Sequence, residues 1–362
     1  MKRFNYLLIS LLFSLSAFSQ GRITDALDSI PVAAASIFDA AGNIVGYSMT
    51  DGTFSEIPAT AYPITIRCMG YTPLVIKQPK DTTWQMMPSF FDMEELVVVP
   101  VKRNILKQTF YVREFFNISN ATDTVTYFVE RMAYRFVPAS KGERSGIGNS
   151  VHTLSSRCYS RYKDASIDSV ALDDDSKLPS MLILLEHSSK DIVAPESFKT
   201  PTDTTRVYEK KGKSGMSLVQ KQNNQVFIST EDMLAGEKDH MYSPWPLKLL
   251  GMTMEINQLY AIKVFRANEE STYMQKDLME TSFVMEAVGR GKYLRNILNS
   301  DEPVSIRSVI EFYVVDSEYF SLKEAKDEKK RKVSKVDFVI PSNAQPLDVA
   351  TQRMVNRIKK GL

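Results

Sequence analysis

An Asp-Gly pair at residues 51 and 52 sits between two short β-forming runs, Gly46-Tyr47-Ser48-Met49-Thr50 and Thr53-Phe54, and leaves the chain few ways to continue there. Glycine accepts a positive φ and aspartate hydrogen-bonds its own backbone, so the pair marks a tight turn and predicts a hairpin. Around it lie Gly21-Arg22-Ile23-Thr24-Asp25, Ile30-Pro31-Val32-Ala33-Ala34-Ala35-Ser36-Ile37 and Ile64-Thr65-Ile66-Arg67-Cys68-Met69-Gly70-Tyr71. These are short apolar and β-branched runs bounded by Gly, Pro and Asp and spaced by roughly a dozen residues, the pattern of a small β-sandwich.

The same residues resemble a known family. Gly21, Ile23 and Asp25, then Pro31, then Thr50, Asp51, Gly52 and Phe54, then Gly70 and Tyr71 are similar to the carboxypeptidase regulatory-like domain. That resemblance implies a transthyretin-like, seven-stranded sandwich of the kind found behind zinc carboxypeptidases and at the N-terminus of TonB-dependent outer-membrane transporters. Two departures stand out: Asp28-Ser29-Ile30 replaces the usual Gly before the Pro, and one residue is missing between Asp51 and Gly52. Met93-Glu94-Glu95-Leu96-Val97-Val98-Val99-Pro100 resembles the Leu-x-Glu-Val-Val-Val segment that follows the domain in the transporters. The likeness covers about 80 of 362 residues.

Residues 1–19 read as a signal peptide, with Lys2 and Arg3 ahead of an apolar run from Leu7 to Phe18 and a cleavage point after Ala17-Phe18-Ser19. The run is shorter than the ~20 residues a membrane helix needs, and no later run reaches that length, so an exported chain of the periplasm or outer-membrane periphery without a transmembrane span is expected. A formal charge of +2 gives no nucleic-acid footprint. The two cysteines, Cys68 and Cys158, fall in different predicted strands and read as separate buried thiols.

The expected organisation is a signal peptide at 1–19, the sandwich at 20–100, a linker at 101–120 and an α+β domain at 121–362. The fold class is mainly β: the sandwich, then a large antiparallel sheet with C-terminal helices. The linker reading rests on Ile105, Leu106, Phe110, Val112, Phe115 and Phe116, which follow no single period. Thr124 to Val137 changes phase midway, which suggests a bulge near Glu130-Arg131. Lys163 to Lys177, with Asp173-Asp174-Asp175, reads as a polar loop. Further strands are expected at 151–162, 181–185, 205–210, 217–221, 225–230, 259–266, 281–288, 304–315 and 336–340. Ser321-Leu322-Lys323-Glu324 resembles a capping box opening a helix to Lys332, and Leu347 to Lys360 has helical spacing.

Catalytic chemistry is not legible. The three histidines, His152, His187 and His240, lack the His-x-x-Glu arrangement of a zinc carboxypeptidase, so the resemblance carries over the accessory domain without the peptidase. Neither Gly146-Ile147-Gly148-Asn149-Ser150 nor Gly212-Lys213-Ser214-Gly215 forms a nucleophile elbow. The acidic run at Asp173 lacks the spacing that wraps calcium, and the basic run from Lys326 to Lys335 alternates with acids as a solvated helix face does. The candidate contact residues are Tyr242 and Trp245, in a Pro-bounded aromatic loop suited to sugar or peptide, and Val97, Val98 and Val99, in a segment suited to strand addition.

No catalytic, cofactor or metal residue is assigned. The preferred expectation is a non-enzymatic envelope protein whose sandwich is an interaction or stabilising module and whose second domain binds an envelope protein or a glycan or lipid ligand. The alternatives are an accessory component of a TonB-dependent uptake system and a hydrolase whose site is assembled from distant residues.

Overall fold

The computed structural model describes residues 21–79, 82–89, 103–139, 146–148, 150–164, 166, 168–173, 182, 206–209, 216–222, 225–230, 241–242, 251–266, 274–298, 302–331 and 335–360, with backbone alone for 206–209, 216–222, 226–230 and 241–242. Seven short strands come first: β1 Gly21–Asp25, β2 Ser36–Phe38, β3 Ile44–Tyr47, β4 Thr53–Phe54, β5 Ile64–Arg67, β6 Leu74–Ile76 and β7 Thr83–Met86. They form two sheets, ordered β4-β1-β7 and β3-β2-β5-β6, and every pairing is antiparallel except β1 with β7. Ile23, Ile37, Phe38, Ile64, Ile66 and Met86 are fully buried between them. Phe54 stacks on Trp84 at 4.6 Å, and a Cβ on Gly21 would overlap the Phe54 ring, which explains the glycine that opens β1.

The Asp51-Gly52 turn is present, with Gly52 at φ +79° and Asp51 Oδ1 accepting from the Thr53 amide at 2.9 Å. Met49 closes it on both sides, its carbonyl accepting from the Gly52 amide at 2.9 Å and its amide donating to the Thr53 carbonyl at 2.7 Å, so a minimal hairpin forms and no strand pairing continues it. β3 and β4 belong to different sheets, so the turn carries the chain around a corner from one layer to the other.

The rest of the chain contributes an antiparallel sheet in which eleven strands are described. They are β8 Ile105–Ser119, β9 Thr124–Pro138, β10 His152–Lys163, β11 Asp168–Asp173, β12 Arg206–Glu209, β13 Met216–Gln222, β14 Gln225–Thr230, β15 Met241–Tyr242, β16 Met252–Arg266, β17 Leu278–Gly291 and β18 Val304–Phe320. Their order is β11-β10-β9-β8-β18-β17-β16-β14-β13-β12, with β15 also on β16. Among the described residues three short helices accompany them: α1 Lys292–Leu298, α2 Leu322–Lys330 and α3 Val349–Lys359. None is long and apolar enough to cross a membrane.

Several expectations are corrected here. The linker is β8, a central strand paired along its whole length with both β9 and β18. Both its faces are buried, so apolar residues occupy odd and even positions alike and no period survives. The bulge expected in β9 lies in its partner: β9 runs in unbroken register against β8, whereas the β10 pairing skips a residue between Thr153 and Ser155. The polar loop contains β11, and β16, β17 and β18 extend well beyond the expected cores. Residues 336–340 form no strand; they are tied to β10, where the Ser155 hydroxyl accepts from the Val336 amide at 2.9 Å and donates to the Val336 carbonyl at 2.6 Å. The strand expected at 181–185 lies outside the described residues except for Leu182, which is not in a strand.

The helix signals are present in the structure. Ser321 Oγ accepts from the Glu324 amide and Glu324 Oε2 from the Ser321 amide, a complete capping box on α2. Asp348 caps α3 through the Thr351 amide at 2.9 Å. Both cysteines are buried and neither is in a disulfide.

Candidate functional site

Alternation along the long strands gives the large sheet two buried faces with different occupants. On β9, Phe128 and Met132 join the sandwich core, while Val125, Tyr127, Val129 and Ala133 join a separate core on the opposite side. β8 divides the same way, Tyr111 and Phe115 toward the sandwich and Phe110, Val112, Phe116 and Ile118 away from it.

The near face is occupied by the sandwich and the C-terminal segment. Arg67 at the end of β5 reaches Glu311 on β18, and its guanidinium also donates to the Pro346 carbonyl. Arg113 on β8 donates to the Gln345 carbonyl, and the Gln345 amide returns bonds to the carbonyls of Cys68 and, at 2.9 Å, Tyr71. Asn117 Oδ1 accepts from the Ile44 amide at 2.8 Å, and the Tyr47 phenol bonds Gln258 and Glu286. Burial and the Glu286 carboxylate push that phenol far above its usual range. Glu280 on β17 is wholly buried here: burial first, then the Glu311 charge, raises its carboxyl to about 8, against a bond from Asn343. These polar groups are partnered across the seam, which fixes how the sandwich sits on the sheet.

The far face is apolar with polar inserts. Arg131 and Glu114 form a buried ion pair in it, and Arg135 bonds Gln108 and Gln275. Helix α1 lies across its end, with Leu294 and Leu298 in the apolar core, and the tight approach at Gly289 seats Leu294. Beside α1 a cleft of about 460 Å³ opens, within the range of small-molecule sites.

Cross-strand register builds the floor of this cleft. Tyr127 pairs with Ser160 and Val125 with Tyr162, and directly opposed residues share a face. Asp173 at the end of β11 pairs with Cys158, which brings its carboxylate to the same side. Tyr293, Asn296 and Ile297 of α1 form the opposite wall. Burial raises the Tyr127 phenol strongly and the Tyr293 phenol to about 12, and the Asp173 carboxylate adds to both shifts, so acid and rings lie within electrostatic reach. The Tyr162 hydroxyl bonds Asp123 at 3.1 Å.

Of the residues singled out in the sequence, Tyr242 is placed by its backbone, opposite Met254 on β16. Trp245, Val97, Val98 and Val99 lie outside the described residues, as do His187 and His240. His152 lies on β10 with its ring stacked on Tyr134 at 5.1 Å. Among the described residues no group of three or more His, Cys, Asp or Glu is placed to hold a metal ion. The cleft residues were missed because they come from four elements, one of them read as a loop. The Val170 and Leu172 alternation within Asp168–Asp173 was the available signal for β11.

No family model matches this chain, and no curated protein matches it. Among solved structures, a lipovitellin structure titled for its lipid-protein interactions aligns at TM-score 0.31 and 8% identity, over 60% of this chain and 25% of that one. The chain thus spans about a quarter of the lipovitellin chain. An acetoacetate decarboxylase-like enzyme from Sphingomonas wittichii RW1 aligns at TM-score 0.14 and 8% identity, over 61% of this chain and 94% of that one. At these scores neither alignment carries fold or function across.

Proposed function

We propose that this chain is a non-enzymatic exported binding protein of a Gram-negative envelope, in which the far-face cleft of the large sheet takes an apolar or amphiphilic ligand. The N-terminal sandwich is of the carboxypeptidase regulatory-like, transthyretin-like kind and acts as a brace. The observation that carries the reading is the unequal use of the two sheet faces. The near face is filled by the sandwich and the C-terminal segment through a dense polar seam, whereas the far face holds a cleft of about 460 Å³ walled by three tyrosines and aliphatic side chains. A sheet held rigid on one side presents its other side in a fixed shape, which lowers the ordering cost of binding.

Native mass spectrometry on the full chain purified from an envelope fraction tests this reading. A retained small molecule of lipid-like mass, released by organic solvent, is expected. A bare polypeptide mass that also fails to take up added amphiphile would overturn it.

A further inference from the structure

The cleft has a chemical bias that goes beyond its apolar walls. Three phenol rings come from three separate elements: Tyr127 from β9, Tyr162 from β10 and Tyr293 from α1. The charged side chain among the described lining residues is a carboxylate, Asp173, and none of those residues is basic. Aromatic faces carry negative quadrupole potential, and a carboxylate beside them adds to it with the same sign. An anion entering this cleft would meet repulsion from the rings and the carboxylate, with no basic group among the described lining residues. Val125 and Ile297 supply an aliphatic wall beside the rings. Tyr293 Oη is buried and has no hydrogen-bond partner among the described residues, so a donor stands ready at the ring that α1 contributes.

We propose that this cleft is a site for an organic cation bearing an aliphatic chain, the alkylammonium head held among Tyr127, Tyr162, Tyr293 and Asp173 and the chain laid against Val125 and Ile297. The inference rests on the binding reading above and narrows it to one ligand class. Quaternary or alkylated ammonium suits the site better than a bare amine. Its weak hydration makes transfer onto ring faces less costly, and its bulk fills an aromatic box that a small hydrated cation would leave loose. The Tyr293 hydroxyl is available to donate to a neutral oxygen just beyond the ammonium group, as in an ester or an ether.

Calorimetric titration of the full chain with octyltrimethylammonium, octyl sulfate and octyl glucoside, each below its micelle concentration, tests the assignment. The cation is expected to bind at least about ten-fold more tightly than the other two. Asp173→Asn should weaken the cation by about ten-fold and leave octyl glucoside unchanged. Should that variant fold poorly, Asn296→Lys, at an exposed helix position, places a positive charge at the wall and should abolish cation binding while improving octyl sulfate. Equal binding of all three probes, unmoved by Asp173→Asn or Asn296→Lys, would overturn the cation assignment and leave the binding reading standing. Absence of binding by any probe would overturn both.

Discussion

The Arg67 guanidinium meets both oxygens of the Glu311 carboxylate, at 2.9 and 3.2 Å, and so joins the last residue of a sandwich strand to the middle of the large sheet. Both side chains are almost wholly enclosed, 1% and 6% exposed. Tyr313 donates to the same carboxylate at 2.9 Å, and the Arg67 guanidinium also lies 5.3 Å from the Phe115 ring. Removing one partner of such a pair leaves the other charge buried alone. Arg67→Met is expected to cost about 3–5 kcal/mol by urea denaturation, and Arg67→Met with Glu311→Leu to cost less than the single change.

Glu280 gives the same seam a pH dependence. Its surroundings are Glu311 on β18, Asn343 of the C-terminal segment and the Cys68 thiol and Tyr313 phenol, both of which its charge pushes upward. The folded chain holds its proton up to about pH 8, whereas the unfolded chain releases it near the ordinary value of 4.5. Below the ordinary value both states are protonated and Glu280 has no effect. Between the two values the unfolded state alone loses the proton, so stability falls as pH rises and levels off above about 8. Glu280→Gln should flatten that fall and raise stability at pH 8 by at least about 2 kcal/mol, measured as denaturation midpoints from pH 5 to 9.

The sheet-changing corner depends on Gly52. A Cβ there would sit 2.4 Å from the Ile23 carbonyl oxygen at a φ of +79°. Gly52→Ala is expected to destabilise the chain by about 2–4 kcal/mol in thermal melts, against a near-neutral control at the exposed Thr60, Thr60→Ala.

Cys68 and Cys158 are 5% and 1% exposed, and burial, with the Glu280 and Glu311 charges, raises the Cys68 thiol well above its usual range. Neither thiol should react with Ellman's reagent in the native chain, and both should react in denaturant. One disulfide recovered from the native protein would contradict the structure.

Short strands closed by turn residues were legible because each carries its own punctuation, as Gly21 to Asp25 and Ile64 to Arg67 do. The Asp51-Gly52 turn was legible too, but not how soon its hairpin ends, since local chemistry fixes a turn without saying which sheet each flank joins. β8 was illegible for the opposite reason: Phe110 and Tyr111 point to opposite cores, so the residues that matter most for packing show no alternation. Helix α1 has seven residues, too few to display a clear period. The cleft was hidden by both effects, with Tyr293 on that helix and Asp173 at the head of a run of acids that reads as solvent-exposed. Its tyrosines look like ordinary strand residues until register sets Tyr127 against Ser160 and Val125 against Tyr162.

The most direct test of the account is a titration of the full chain with Nile red, a neutral apolar fluorophore, beside the variant Asn296→Trp, which fills the cleft from the exposed side of α1. The account expects saturable one-to-one binding that falls by at least about ten-fold in the variant while the melting temperature is unchanged. Equal binding by both proteins, or no saturable binding by either, would contradict it.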